Sequence, residues 1–407
     1  MRYETSALAL LLLAGTARAG GTVRPNGISA RGVGMGGAWA AWVDDATAIW
    51  FNPGALDAVD PHVMLGAEVV LGPRRYTPTL PDGTEGEPQS TLIAAPVPTL
   101  GVVGRFNYQD EPSRFTFGFG VWNTFGGQVS YEKTGMPALD ATQDLCIEIN
   151  GGASLHVSDR FSIGAAARFG LGFFHIEATQ NPFDADLSAS GVGVGMTVGA
   201  LFRPTETVRI GVTWRSPLRI ATTGSGTVDQ GGLISRPDVS HEQNWPQQAA
   251  LGLGWQATPR WKLATELDWS QWSQTDRIEV VFPNGELPDQ SYAEYWHDNW
   301  SARLGGEYAV SRGVQLRAGT YYDSPAVPDI SLERQYSDSH KFGVSLGASL
   351  HAAGWRFDLA ADGIIPATRT VPNNAGDVMG VPVLQNKAPG DYIGSLITFE
   401  LAAARRF

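Results

Sequence analysis

Ile397-Thr398-Phe399-Glu400-Leu401-Ala402-Ala403-Ala404-Arg405-Arg406-Phe407 ends the sequence. Ile397, Phe399, Leu401, Ala403 and Phe407 share one face at period two, and Thr398, Glu400, Ala402, Ala404 and Arg406 share the other. A strand with one apolar and one polar side suits a wall between lipid and a wet lumen. Arg405 interrupts the apolar face, where a long side chain can reach the headgroups. Bacterial outer-membrane barrels commonly end in an aromatic residue, and Phe407 fits that habit.

Upstream the alternation recurs. Trp261, Leu263, Thr265, Leu267 and Trp269 alternate with Lys262, Glu266 and Asp268, and Phe342, Val344, Leu346 and Leu350 with Lys341, Ser345 and Ser349. About fourteen such segments run over 62–71, 97–108, 113–124, 144–157, 160–177, 190–203, 206–222, 243–257, 260–282, 292–310, 313–324, 340–351, 354–366 and 391–407. Most exceed the ~9–11 residues that cross a bilayer as a tilted strand. Tight spacers such as Ser158-Asp159, Pro204-Thr205, Thr258-Pro259 and Ser311-Arg312 alternate with longer ones. Short periplasmic turns opposite longer outer loops are a barrel pattern, whereas a secreted sandwich would not sort its turns by length.

The other end reads as an export signal. Met1-Arg2, an apolar run from Ala7 to Gly15 and Ala17-Arg18-Ala19 make a basic start, a short core and a cleavage site after residue 19. No later stretch approaches the ~20 apolar residues of a membrane helix, so a membrane-spanning chain must be a closed barrel. The net charge of −12 argues against nucleic acid. Cys146 is the only cysteine, so there is no intrachain disulfide, and it reads as an ordinary inward strand residue.

Residues 20–61 differ in texture: glycines 32, 34, 36 and 37, then Ala38-Trp39-Ala40-Ala41-Trp42, Asp44-Asp45-Ala46 and Asn52-Pro53-Gly54. They read as short helical turns. In the strands, many glycines, Gly101, Gly118, Gly164, Gly199, Gly211, Gly305, Gly319 and Gly347 among them, share parity with the polar, inward residues. Bulges and curvature explain some of these, but a wall stripped of side chains in so many strands points to an occupant, and 20–61 is the obvious one. The chain divides into a signal peptide (1–19), an N-terminal hatch (20–61) and a barrel (62–407). The expected fold is all-β, a transmembrane antiparallel β-barrel of about 14 strands with the hatch plugging its lumen.

Three stretches carry a family resemblance. Gly32-Val33-Gly34-Met35-Gly36-Gly37-Ala38 leads through Asp44-Asp45-Ala46 to Asn52-Pro53-Gly54-Ala55-Leu56; Glu266-Leu267-Asp268-Trp269-Ser270-Gln271-Trp272 follows; and Asn299-Trp300 leads to Tyr322-Asp323-Ser324-Pro325-Ala326-Val327-Pro328-Asp329. The chain resembles the FadL family of outer-membrane transporters for long-chain fatty acids and other hydrophobic compounds, toluene among them. The resemblance covers essentially the whole mature sequence. It implies a fourteen-stranded barrel with an internal hatch, passive uptake, and ligand release sideways through the wall into the lipid after the hatch shifts. Gly54 stands where the family's Asn-Pro-Ala motif has Ala, and the outer loops are shorter than those that form an external groove in its best-known members.

The expected hatch residues are Gly34, Asp44, Asp45, Asn52, Pro53 and Gly54. Asp44 and Asp45 are read as capping a hatch helix or pairing with inward arginines such as Arg209, Arg303 or Arg317. Phe125 and the inward-parity aromatics Trp122, Phe174, Trp272 and Tyr321 are candidates for an apolar ligand path; packing of such inward aromatics against the hatch is the alternative. Gly118, Gly120, Gly126 and Gly127 mark a candidate kink in the third strand, for a lateral exit or merely to accommodate the hatch. Trp255, Trp261, Trp296 and Trp300 are assigned to interfacial girdles.

The seven histidines show no metal spacing, and no cofactor or metal is expected. The partners expected are a hydrophobic small molecule, membrane lipid and lipopolysaccharide, with the barrel a monomer. The rival readings are a general porin or structural barrel, and an outer-membrane lipid hydrolase using Ser337, Ser339 and His340 on the rim.

Overall fold

The computed structural model describes residues 28–105, 114–132, 139–180, 183–373, 377–378, 381–382 and 388–407. The expected signal peptide and the first residues of the expected hatch lie outside these. Fourteen antiparallel strands form one closed barrel. They are β1 (His62–Pro78), β2 (Gln89–Arg105), β3 (Phe115–Ser130), β4 (Leu139–Ser158), β5 (Phe161–Gln180) and β6 (Phe183–Phe202). Four broken strands follow: β7 (Val208–Arg215, Leu218–Gln230), β8 (Asp238–Trp245, Gln248–Gln256), β9 (Trp261–Ser270, Arg277–Val281) and β10 (Gln290–Ala293, Asn299–Ser311). The last are β11 (Val314–Asp323), β12 (Lys341–Ala352), β13 (Trp355–Val371) and β14 (Gly390–Arg406). Each strand pairs with its sequence neighbours, and β1 closes the cylinder against β14 from His62↔Arg406 to Pro78↔Gly390. Closure matters because an open edge in hydrocarbon would leave a row of backbone groups unpaired.

Several strands run farther outward than their alternation predicted. β1 reaches Pro78 and β2 starts at Gln89, where the sequence predicted 62–71 and 97–108. Beyond the membrane both faces of a strand are wet or covered by loops, so the two-residue signal fades while the ladder continues. Within the membrane the parity is clear. Leu346 (67% exposed), Leu304 and Leu401 point outward, while Ser345, Arg303 and Glu400 point inward and are buried.

Residues 28–61 sit inside the barrel. Two short helices (Ala30–Gly34 and Ala48–Phe51), the stretch between them and a 3-10 turn (Pro53–Ala58) carry a buried cluster of Trp39, Trp42, Ile49, Trp50, Phe51 and Leu56. Ser29 caps the first helix, accepting from Gly32 N at 3.2 Å, and Asn52 caps the 3-10 turn, accepting from Gly54 N at 3.1 Å with Pro53 at its first position.

Two sets of inward glycines stand out. A Cβ on Gly101, Gly164, Gly199, Gly211, Gly305 or Gly319 would strike the inner segment at 2.1–2.4 Å. Gly120 and Gly343 instead lie under inward rings of the wall itself, Trp122 and Tyr321.

Leu346→Arg would place a charge on the lipid face and should lower stability by about 2–4 kcal/mol if the site lies at the midplane. Urea unfolding of the barrel in vesicles measures it; an unchanged midpoint would mean that this face does not meet lipid.

Candidate functional site

The floor of the site is the inner segment, held by charged wall residues that bond to its backbone. Glu266 of β9 accepts from Trp39 N at 2.8 Å and Ala40 N at 2.7 Å. Arg303 of β10 donates to Gly36 O at 3.3 Å while pairing with Asp268 at 2.6 Å and Asp323 at 3.4 Å. Arg215 of β7 donates to Trp50 O. Arg31 of the first helix is the hub of the periplasmic side, at 2.6 Å from Asp44, 3.3 Å from Glu307, 3.5 Å from Asp358 and 3.0 Å from Ser349.

This corrects one sequence expectation. Asp44 pairs with Arg31 of its own segment and not with Arg209, Arg303 or Arg317, because the first helix brings a cation closer than any wall residue. Asp45 accepts from Ser29 Oγ at 2.8 Å and from Thr47 N at 2.9 Å, tying the start of the first helix to the start of the second. Asn52 donates to Ala40 O and to Ala200 O of β6, each at 3.0 Å, so it ties the segment to itself and to the wall. Gly54 has no room to be alanine, since a Cβ there would stand 2.7 Å from Ala200 Cα. Gly34 packs on Gly347 at a similar close approach.

Above the floor lies an aromatic chamber. Phe125 stacks on Trp245 with centroids 5.1 Å apart; Trp272 meets Trp245 at 6.3 Å and Trp296 at 5.3 Å; Trp296 meets Tyr336 at 5.9 Å. Leu218, Ile220, Ala326, Val327 and Leu332 complete the buried cluster. The loop 324–340 dips inward to supply the last three, pinned where Ala326 N and Val327 N donate to Asp338 at 2.7 and 3.2 Å. Burial raises the Asp338 carboxyl, but Lys341 and these two N–H groups outweigh it and hold it below the usual carboxylate range. Against the chamber is a cavity of about 70 Å³, lined among others by Gly126, Gly127, Asp144, Gln243, Trp245 and Trp272.

The five candidate path residues fall into four places. Phe125 and Trp272 line the chamber. Trp122 packs on the inner segment and over Gly120. Phe174 belongs to an outer cluster with Leu187, Val239 and Val280 and stacks on His241 at 4.2 Å. Tyr321 lies in the polar wall, donating to Asp362 at 2.9 Å over Gly343. Trp296 needs correction: assigned to a girdle, it is 7% exposed and inside the chamber, whereas Trp255, Trp261 and Trp300 are 50%, 45% and 60% exposed. The break between Ala293 and Asn299, with Tyr295 at φ 51°, reverses the parity of β10 there. On the rim, His340 Nδ1 meets the Tyr322 hydroxyl at 2.6 Å, and among the described residues Ser339 Oγ bonds to the His340 carbonyl at 3.4 Å and not to its ring.

The wall beside the chamber is not fully zipped. β2 pairs with β3 only from Leu100↔Val121 to Arg105↔Thr116, while β1–β2 pairing continues to Tyr76↔Gln89 and β3–β4 pairing to Ser130↔Ala141. Residues 89–99 and 122–130 therefore face each other without a ladder. Near the outer end the described residues give one bond across, Thr91 Oγ1 to Ser130 O at 2.5 Å, and an apolar contact of Ile93 with Val129 and Tyr131.

Of the four candidate kink glycines, Gly118 and Gly120 lie in the paired part, opposite Val103 and Gly101. Gly126 (φ 89°) follows a register shift between Asn123 and Phe125, and both it and Gly127 line the cavity. Sequence reading missed Pro96 and Pro98. Two residues apart, they remove N–H groups from one edge of β2; since pairing with β1 is unbroken there, that edge faces the gap.

A family model described as outer membrane protein transport protein (OMPP1/FadL/TodX) matches residues 10–363. The chain belongs to this family. It is 22% identical over 374 residues to the long-chain fatty acid transport protein of Escherichia coli, covering 78% of this chain and 81% of that one. The fold is that of a Pseudomonas aeruginosa FadL homologue (TM-score 0.82, 18% identity, 96% of this chain and 100% of that one). It is also that of the Pseudomonas putida toluene transporter TodX (TM-score 0.71, 16% identity, 94% and 99%). The protein is thus a bacterial outer-membrane barrel of the FadL transporter family, whose named relatives are transporters and not enzymes.

Arg31→Met would remove the cation shared by Asp44, Glu307 and Asp358, leaving Arg317 and Lys262 on Glu307 and Arg356 on Asp358, and should loosen the inner segment by about 3 kcal/mol, the low end for breaking a buried pair. Protease added from the periplasmic side should then cut within 28–61 while the barrel still migrates as a heat-modifiable band. Resistance equal to wild type would show that the Arg31 cluster does not hold the segment.

Proposed function

We propose that the protein carries small hydrophobic compounds passively inward across the outer membrane, with residues 20–61 as a hatch and release sideways between β2 and β3. The observation that carries this is the juxtaposition of the aromatic cavity with the unpaired stretch of wall. Gly126, Gly127 and Val129 belong both to the cavity lining and to the strand that borders the gap.

The physical problem is that lipopolysaccharide excludes apolar solutes while a water column offers them no favourable solvent. An apolar pocket in a protein wall answers both, binding by burial at about 25 cal/mol per Å² and passing the ligand to lipid without crossing water. No energy source enters. A cavity of about 70 Å³ among indole and phenyl rings favours a compact ring-sized ligand over an extended acyl chain, being well under the usual ~300–1,000 Å³ of a drug-sized pocket. The porin alternative fares worse, since the buried cluster of residues 28–61 occupies the lumen. We read the barrel as a monomer bordered by lipid and lipopolysaccharide; each barrel holds its own cavity and gap.

Gly126→Val tests the exit. Valine cannot adopt φ 89° without strain, and its Cβ would meet Asp144 O at 1.7 Å, so β3 must change course at the gap. Toluene uptake by cells carrying the variant should fall at least about tenfold, for a barrier increase of roughly 1.4 kcal/mol. Correct assembly is checked by heat-modifiable migration. Full uptake in an assembled variant would place the route elsewhere, and swelling of wild-type proteoliposomes in sugar would favour the porin.

A further inference from the structure

The wall has a second break, and the cavity reaches it. Between β8 and β9 the ladder stops at His241↔Val280 and resumes at Gln248↔Ser270. Nine residues of β9, 271–279, therefore face six of β8, 242–247, and a 3-10 turn at Trp272–Gln274 takes up part of the surplus. Gln271 N donates to Gln247 O at 3.0 Å at the inner end of the break, and Gln274 Nε2 donates to Asn244 O at 3.4 Å. At the outer end His241 Nδ1 lies 2.9 Å from Glu279 O. Between these bonds, Glu242, Gln243 and Asn244 on one side and Thr275, Arg277 and Ile278 on the other form no ladder pair across the break. All six line the cavity.

Exposure tells which way the cavity opens. Glu242 and Arg277 are the exposed residues of its lining, one on each lip of this break. Toward the β2–β3 gap the lining is shut, with Gly126, Val129 and Thr142 buried and Gly127 and Asp144 half-buried. Gln335 and Tyr336, from the loop that dips inward, are buried and half-buried. The height of the opening follows from the girdles. Trp261 meets Tyr308 at 4.8 Å near the periplasmic ends of β9 and β10, and Trp269 meets Trp300 at 6.4 Å near the outer edge of the apolar band. The break begins directly outside the second pair, where Asp276 and Glu279 are exposed as well. Charged side chains around an opening suit water and not acyl chains.

We infer that small hydrophobic compounds enter the chamber through the side of the barrel, between β8 and β9, from the aqueous layer just outside the outer girdle. Trp245 and Trp272 belong to the same stretches as the lips, so an arriving ring exchanges water for indole at once. The chamber then joins two breaks in different parts of the wall, open at β8–β9 and shut at β2–β3. This deepens the transport reading above and rests on it.

Arg277→Cys and Asn284→Cys test it in whole cells, the second being exposed on the turn after β9 and outside the lining; native Cys146 is buried. Both are labelled to completion with a membrane-impermeant stilbene-disulfonate maleimide. Toluene uptake through labelled Arg277→Cys should fall at least about fivefold below that of the same variant unlabelled, while Asn284→Cys stays within about twofold of its own unlabelled value. Glu242→Cys, on the opposite lip, should behave as Arg277→Cys and replaces it if that variant does not assemble. In the purified barrel, Ile278→Cys should react with the reagent at least about tenfold faster than Val129→Cys on the shut side. Uptake that changes equally in the two labelled variants, or Val129→Cys reacting as fast as Ile278→Cys, overturns the entrance while leaving the transport reading in place. Toluene uptake by wild-type cells no faster than by cells lacking the protein overturns both.

Discussion

The structure depends on contact between two backbones inside the barrel. Fourteen strands enclose a lumen that must be either watered or filled, and here it is filled by a short segment too irregular to present a ladder of its own. Close approach requires that the wall give up side chains, which it does at Gly101, Gly164, Gly199, Gly211, Gly305 and Gly319. The segment answers with alanines, Ala38, Ala40, Ala41, Ala46, Ala48 and Ala55, all buried. Its free N–H and C=O groups then need partners in a dry interior. Glu266, Arg303 and Arg215 supply some of them, and Arg303 is compensated in turn by Asp268 and Asp323 on the adjacent strands.

A second constraint explains the gap. Backbone left unpaired in hydrocarbon is expensive, so a sheet can open only where the exposed edge has been blunted. On β2, Pro96 and Pro98 remove donors outright. On β3 the run Trp122, Asn123, Thr124, Phe125 and Gly126 is buried without alternation, so this stretch turns away from lipid and into the protein. The chamber lies behind that stretch, with Phe125 belonging to both.

The barrel was legible because lipid on one side and polar lumen on the other write a two-residue code into every crossing, and the inward glycines disclosed the occupant. The chamber was harder to see, for a specific reason. In register, Arg215 of β7, Gln248 of β8, Ser270 of β9 and Asn299 of β10 form one row, and each strand breaks immediately outside it. Crossing the break, the inward positions change from Thr213 and Arg215 to Leu218 and Ile220 on β7, and from Gln248 and Ala250 to Gln243 and Trp245 on β8. Trp245 therefore shares parity with lipid-facing Leu251 and Leu253 and was not singled out, while Trp296 on β10 was assigned to a girdle. On β9 the break preserves parity, from Asp268 and Ser270 to Trp272, and that tryptophan was found. Pro217 and Pro246 at the first two breaks were the available signal, as was the Pro-x-Pro of β2.

The interlock between Pro53-Gly54 and the glycines of β5 and β6 bears on the order of assembly. With Pro53 against Gly164 of β5, Asn52 against Gly199 of β6 and Gly36 against Gly319 of β11, the segment is keyed into dimples on opposite parts of the wall. A finished cylinder offers no route by which such a shape could be threaded into place. The segment runs directly into β1, one of the two strands whose pairing closes the ring. A sheet that curls around the segment while still open reaches this packing without threading, and residues 28–61 then act as the mandrel on which the barrel is wound.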